Sequence, residues 1–158
     1  SVQFSPPRTT NGKVSKSVSV FTDGEQRPAH ILRIEADVQS SFVSDPALVN
    51  LAALTVNKPL VGTFVLKNVS TETQSIQAVQ SALAIEYRGL DGENPPEVRP
   101  IDDVLIEPKI FTLEPGAEQT MTVRFTPPFE GKLLGSVVIY ANDETRQVEF
   151  AGTATRAR

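Results

Sequence analysis

Residues 2–7 read Val-Gln-Phe-Ser-Pro-Pro, and residues 123–128 read Val-Arg-Phe-Thr-Pro-Pro. The likeness resumes after a small gap: Gly12-Lys13 answers Gly131-Lys132, and Ser17-Val18 with Val20-Phe21 answers Ser136-Val137 with Ile139-Tyr140. Asp23 then falls against Asn142, and Leu32-x-Ile34 against Val148-x-Phe150. An internal repeat restricts architecture before any local propensity does, because each copy must be the same supersecondary unit. The first copy lacks a front half. The chain therefore reads as the end of one domain followed by a complete second one, the organisation of a tandem array of binding or scaffolding modules.

The period within each copy is two. Leu32, Ile34, Ala36 and Val38 alternate with Arg33, Glu35 and Asp37, and Met121, Val123 and Phe125 alternate with Thr122, Arg124 and Thr126. This is the pattern of half-buried strands. Val137 to Tyr140 is apolar on both faces, as a central strand should be. No dozen residues carry a 3.6-residue period. Glu114-Pro115-Gly116-Ala117 fits a type II turn, proline presetting φ and glycine accepting the positive φ after it. Asn68-Val69-Ser70 and Asn142-Asp143-Glu144 stand where short connections are needed, and residues 88–100 form one long polar loop. Short strands spaced by turns indicate an all-β sandwich or barrel. The expected strands are 1–5, 14–22, 30–38, 48–55, 60–68, 74–80, 82–88, 103–107, 110–113, 118–126, 133–141 and 146–154.

Composition narrows the function classes. With 158 residues, of which 39% are hydrophobic and 22% charged, the chain can build one core plus a remainder. There is no Cys, hence no disulfide framework, thiol nucleophile or thiolate metal site. A net charge of -4 argues against nucleic acid, which wants a basic stripe. No apolar run approaches the roughly 20 residues of a membrane-spanning helix. The chain opens on Ser1 rather than Met, so a targeting signal is expected upstream if there is one.

Phe111-Thr-Leu-Glu-Pro-Gly-Ala-Glu-Gln-Thr-Met-Thr-Val-Arg-Phe-Thr-Pro-Pro, then Gly131, Val137-Val-Ile-Tyr-Ala-Asn142-Asp143 and Val148-Glu-Phe-Ala-Gly152 resemble the back half of the ASPM–SPD-2–Hydin type (ASH) immunoglobulin-like domain, whose bacterial relatives form tandem repeats. Gly62-Thr-Phe-Val-Leu-Lys-Asn68 resembles that family's second strand and its asparagine turn. A related bacterial family carries cysteines after the third strand; Ser81-Ala82 stands there in this chain. The resemblance implies an immunoglobulin-like β-sandwich over 45–154, a linker at 40–44, the last strands of a preceding repeat over 1–39 and a tail at 155–158. It implies protein contact rather than catalysis.

Candidate chemistry is sparse. His30, the single histidine, has no partner for a metal pair or a Ser–His relay. Asp102-Asp103 with Glu107, Glu97 and Glu93 is the acidic stretch most worth testing for cation binding or acid–base work, yet it lacks the spacing of a calcium loop. Gly89-Leu-Asp-Gly92 has no helix start behind it and is no phosphate cradle. Asn68-Val69-Ser70 also fits a glycosylation acceptor. Lys13, Lys16, Arg8 and Lys132 suit the guarding of sheet edges. No enzyme, cofactor or metal site is expected.

The truncated copy is the functional clue. Val18, Val20, Leu32, Ile34 and Val38 would present an apolar face with no opposing sheet. At about 1.5–3 kcal/mol per large side chain, the exposure approaches ~10 kcal/mol, as large as the stability of a typical domain. Three coverings are open: the chain's own sandwich, a neighbouring copy completed by strand addition, or upstream chain. The first function hypothesis is a structural or protein-interaction module of a tandem repeat protein in an envelope, surface or filament assembly, with a neighbouring repeat, another copy of itself in a homo-oligomer or filament, or a scaffold protein as partner. It implies an extracytoplasmic place, periplasm or cell surface, in a bacterium. The second is a ligand-binding module using loop 88–100 through Asp91, Glu93, Asn94 and Glu97. The third is a ciliary or centrosomal targeting domain in a eukaryote.

Overall fold

The computed structural model describes residues 12–21, 28, 30–80, 82–87, 96–142 and 144–157. Contacts divide the chain into two compact units, Ser1–Ser40 and Ser41–Arg158. In the first, β1 (Gly12–Val20) and β2 (His30–Val38) form an antiparallel hairpin. Its register runs without a slip from Gly12↔Val38 through Val18↔Leu32 to Val20↔His30. The expected strand at 1–5 lies outside the described residues.

Among the described residues the second unit holds twelve strands in two sheets, β3 (Phe42–Asp45), β4 (Leu48–Thr55), β5 (Leu60–Asn68), β6 (Gln74–Gln80), β7 (Ala84–Tyr87), β8 (Glu97–Pro100), β9 (Leu105–Glu107), β10 (Ile110–Leu113), β11 (Glu118–Phe125), β12 (Gly131–Leu134), β13 (Ser136–Ala141) and β14 (Glu144–Thr155). One sheet has the order β3-β5-β11-β9; the other runs β10-β6-β13-β14-β12-β7-β8, with β4 parallel to β14. Alternation puts Phe64, Leu66, Met121, Val123 and Phe125 of the smaller sheet against Ile76, Leu133, Val137, Ile139, Val148 and Phe150 of the larger in one core. Phe64 and Phe150 meet edge-to-face at 6.4 Å and 77°. The unit is an all-β, immunoglobulin-like sandwich, as its strand periodicity indicates.

Beyond shifts of one or two residues at several strand ends, three elements differ from the expected ones. Phe42–Asp45, placed in a linker at 40–44, is a strand paired with β5, and its Phe42 is fully buried. Glu97–Pro100, placed in the polar loop, is a strand paired with β7. Residues 133–141, expected as one strand, are broken at Gly135, whose φ is +134°. A Cβ there would lie 1.7 Å from the carbonyl oxygen of Ala82, so the break depends on glycine. The type II turn is present: Gly116 has φ +75° and the Ala117 amide donates to the Glu114 carbonyl at 3.0 Å.

A polar knot fastens β3 to β14. The Glu144 carboxylate accepts from the amide and hydroxyl of Ser41, both at 2.6 Å, and from Arg146 Nε at 2.9 Å. Arg146 in turn lies 5.9 Å above the Phe42 ring. Charge-assisted bonds in a half-buried place are worth more than exposed pairs. Glu144→Ala is expected to cost about 1–2 kcal/mol, read as a fall in Tm of roughly 4–10 °C.

Candidate functional site

The hairpin register sorts its residues by face. Directly opposed residues of an antiparallel pair share a face, and so do alternate residues along each strand. The rows Gly12–Val38, Val14–Ala36, Lys16–Ile34, Val18–Leu32 and Val20–His30 therefore lie on one side. Lys13, Ser15, Ser17, Ser19, Ile31, Arg33, Glu35 and Asp37 lie on the other. Arg33 there bonds Ser15 Oγ at 2.9 Å and pairs with Glu35 at 3.0 Å. All five expected contact residues, Val18, Val20, Leu32, Ile34 and Val38, thus share one face. Leu32 is 52% and Val20 37% exposed, while Val18, Ile34 and Val38 are half-buried. Ala36, alternating with Leu32 and Ile34, lies on the same face, and so does Val14, which the sequence reading missed. Extending the Gly12-Lys13 match by one residue would have found Val14, opposite Leu133.

The same register recurs inside the sandwich. Gly131↔Ala154, Leu133↔Gly152, Val137↔Val148 and Ile139↔Arg146 join β12 and β13 to β14. They answer Gly12↔Val38, Val14↔Ala36, Val18↔Leu32 and Val20↔His30; the fifth row, Lys16↔Ile34, falls where the sandwich ladder is broken at Gly135. The sequence repeat is a repeat of strand pairing. In the sandwich this apolar side is sealed: Leu133, Val137, Ile139, Val148, Phe150 and Ala154 are all buried. The hairpin presents its counterpart with Leu32 and Val20 open to solvent.

Other candidate residues do not converge. His30 opens β2 and is exposed. Asp102 and Asp103 are exposed between β8 and β9, while Glu107 ends β9 opposite Thr122. Among the described residues no group of three or more His, Cys, Asp or Glu could hold a metal ion. Asp91, Glu93 and Asn94 lie outside the described residues. Glu97 is engaged by Arg99 through two 2.8 Å bonds. The bonded guanidinium holds the Glu97 carboxyl below its usual range, and Glu97 raises Arg99 in return. Arg99 also sits 5.1 Å over the Phe129 ring. No helix among the described residues is long and apolar enough to cross a membrane.

Asn68 has a structural task. Its Nδ2 donates to the carbonyls of Glu72 at 2.7 Å and Leu113 at 2.8 Å, and its Oδ1 accepts from the amide and hydroxyl of Ser70. The residue is fully buried. Both protons of the amide that glycosylation would modify are in use, and the folded domain hides the acceptor.

The two-sheet sandwich is of immunoglobulin-like fold. Comparison with solved structures agrees at the level of fold. The ASH/PapD-like domain 7 of human CEP192 superposes with a TM-score of 0.64 at 13% identity, covering 90% of this chain and 99% of that one. A family 123 glycoside hydrolase of Clostridium perfringens gives a TM-score of 0.48 at 11% identity over 70% of this chain and 23% of the enzyme. The alkylpurine DNA glycosylase AlkC of Pseudomonas fluorescens gives 0.46 at 16% over 75% and 31%. No family model and no curated protein matches the chain in sequence.

Proposed function

We propose that the chain is a non-catalytic structural and protein-interaction module of a tandem immunoglobulin-like repeat protein, serving an envelope, surface or filament assembly. One observation carries the reading: β1 and β2 repeat the pairing of β12, β13 and β14 on both sides of the break at Gly135, yet Leu32 and Val20 of their inward face are exposed. A unit whose core side stays partly open has its partner elsewhere, and proteins rarely leave such a face uncovered. The likeness to an ASH domain supports the fold half of this reading. In a bacterium the module belongs outside the cytoplasm; in a eukaryote the resembled family favours a ciliary or cytoplasmic setting.

Light scattering of the chain with and without residues 1–39 tests it. With the natural partner missing, the open face should drive concentration-dependent self-association. Removal of the hairpin, or Leu32→Asp with Ile34→Asp, should abolish that association and leave Tm unchanged. Unchanged mass with a lower Tm would mean that the hairpin merely shields its own chain, and the interaction reading would fall.

A further inference from the structure

We infer that the hairpin face takes one kind of occupant: the front part of another copy of this repeat, a segment equivalent to residues 41–121, from β3 to the start of β11. The inference rests on the interaction reading above and names its partner. The complete sandwich shows what such strands require. On the inner side, the sheet β3-β5-β11-β9 covers the six positions that answer Val14, Val18, Val20, Leu32, Ile34 and Val38. Along the edges, β13 takes β6 and β12 takes β7, both antiparallel. The far edge of β14 takes β4, and that pairing is parallel. By register, the free edge of β1 calls for an antiparallel strand, and the free edge of β2 for a parallel one.

That combination is demanding. A loose apolar peptide supplies one strand, while the front of an immunoglobulin-like copy supplies an opposing sheet and both edge strands in the required directions. The chain's own sandwich has no vacancy of this kind, because its β12, β13 and β14 already occupy those positions. A second hairpin stacked face to face is disfavoured by charge. It would bring two Lys16 ammonium groups into one apolar layer, at the position where the sandwich has Gly135, and an unpaired buried charge is expensive. Against a front half, Lys16 can run its aliphatic stem along the face and keep its head at the rim. Its Cβ stands where the sandwich has Gly135 beside the Ala82 carbonyl, so the segment answering Ala82 must seat farther out along the unbroken β1. His30 stands where the sandwich has Arg146, a partly exposed position that tolerates a polar group.

The repeat match also designs the test. Since Val2 answers Val123, Ser1 answers Thr122, so residues 41–121 duplicated immediately before Ser1 should complete the first copy. Hydrogen exchange is then measured on the extended chain and on the parent. The expected result is a monomer in which the amides of Leu32 and Ile34 exchange on the order of 100-fold more slowly than in the parent. Leu32→Asp in the extended chain should cancel that slowing and leave the amides of β11 and β14 protected. A second version, carrying Val14→Leu, Lys16→Gly, Val20→Ile and Ile34→Phe to match the sandwich, removes the Cβ that would meet the duplicated Ala82 carbonyl and guards against poor packing of the borrowed half. If Leu32 and Ile34 remain as unprotected as in the parent in both versions, the inference is overturned, although self-association through the face would still stand. It is equally overturned if the extended chain keeps associating through Leu32, which would make a second copy the occupant.

Discussion

Phe150→Ala is expected to cost about 3–5 kcal/mol, a large part of the 5–15 kcal/mol that holds an ordinary domain. Phe150 is 2% exposed, stands edge-on to Phe64, and fills the space over Gly62, where a Cβ would come within 2.7 Å of its ring. No small side chain nearby can refill that volume. The matching hairpin substitution, Ile34→Ala, removes the counterpart of Phe150 by register but opens no sealed cavity. It is expected to change stability by less than about 1 kcal/mol. Urea unfolding of the two variants reads the contrast directly. Equal losses would mean that the hairpin face is sealed in the isolated chain.

Asn68→Asp is expected to be nearly as damaging, about 3–5 kcal/mol. The asparagine joins the turn after β5 to the end of β10, giving two protons to carbonyls and taking two from Ser70. A carboxylate keeps the accepting side and turns a second oxygen toward Glu72 and Leu113, two acceptors that then face a buried negative charge. Asn68→Ala should cost less, about 2–3 kcal/mol, because it leaves groups unpaired without adding repulsion. Thermal melts of the two variants should fall in that order; the reverse order would contradict the assigned orientation of the amide.

Much of this molecule was readable as sequence because alternation and burial coincide. Strands at 30–38, 48–55, 60–68, 74–80 and 110–113 have the expected limits. What escaped had a physical reason. Phe42–Asp45 is four residues before a proline, too short to show a period, and its membership depends on β5 and on the distant Glu144. Glu97–Pro100 is exposed along its whole length and has no apolar side to betray it. The break at Gly135 hides inside a continuous apolar run, where the glycine itself was the available sign. The hairpin face was legible through the repeat, since Val18, Val20, Leu32, Ile34 and Val38 inherit their side from residues of the second copy. The Asn68 network was legible only as a turn, because its partner Leu113 lies 45 residues away.

We propose that residues 41–155 fold as a self-sufficient sandwich while β1 and β2 take a partner. Native-state hydrogen exchange of the unmodified chain, at a concentration where it is monomeric, tests this most directly. A lone two-stranded hairpin is marginal in water. Amides of β5, β11, β13 and β14 are expected to be protected to the level of global unfolding, and amides of β1 and β2 to exchange close to the unprotected rate. Protection of β1 and β2 equal to that of the sandwich would contradict it.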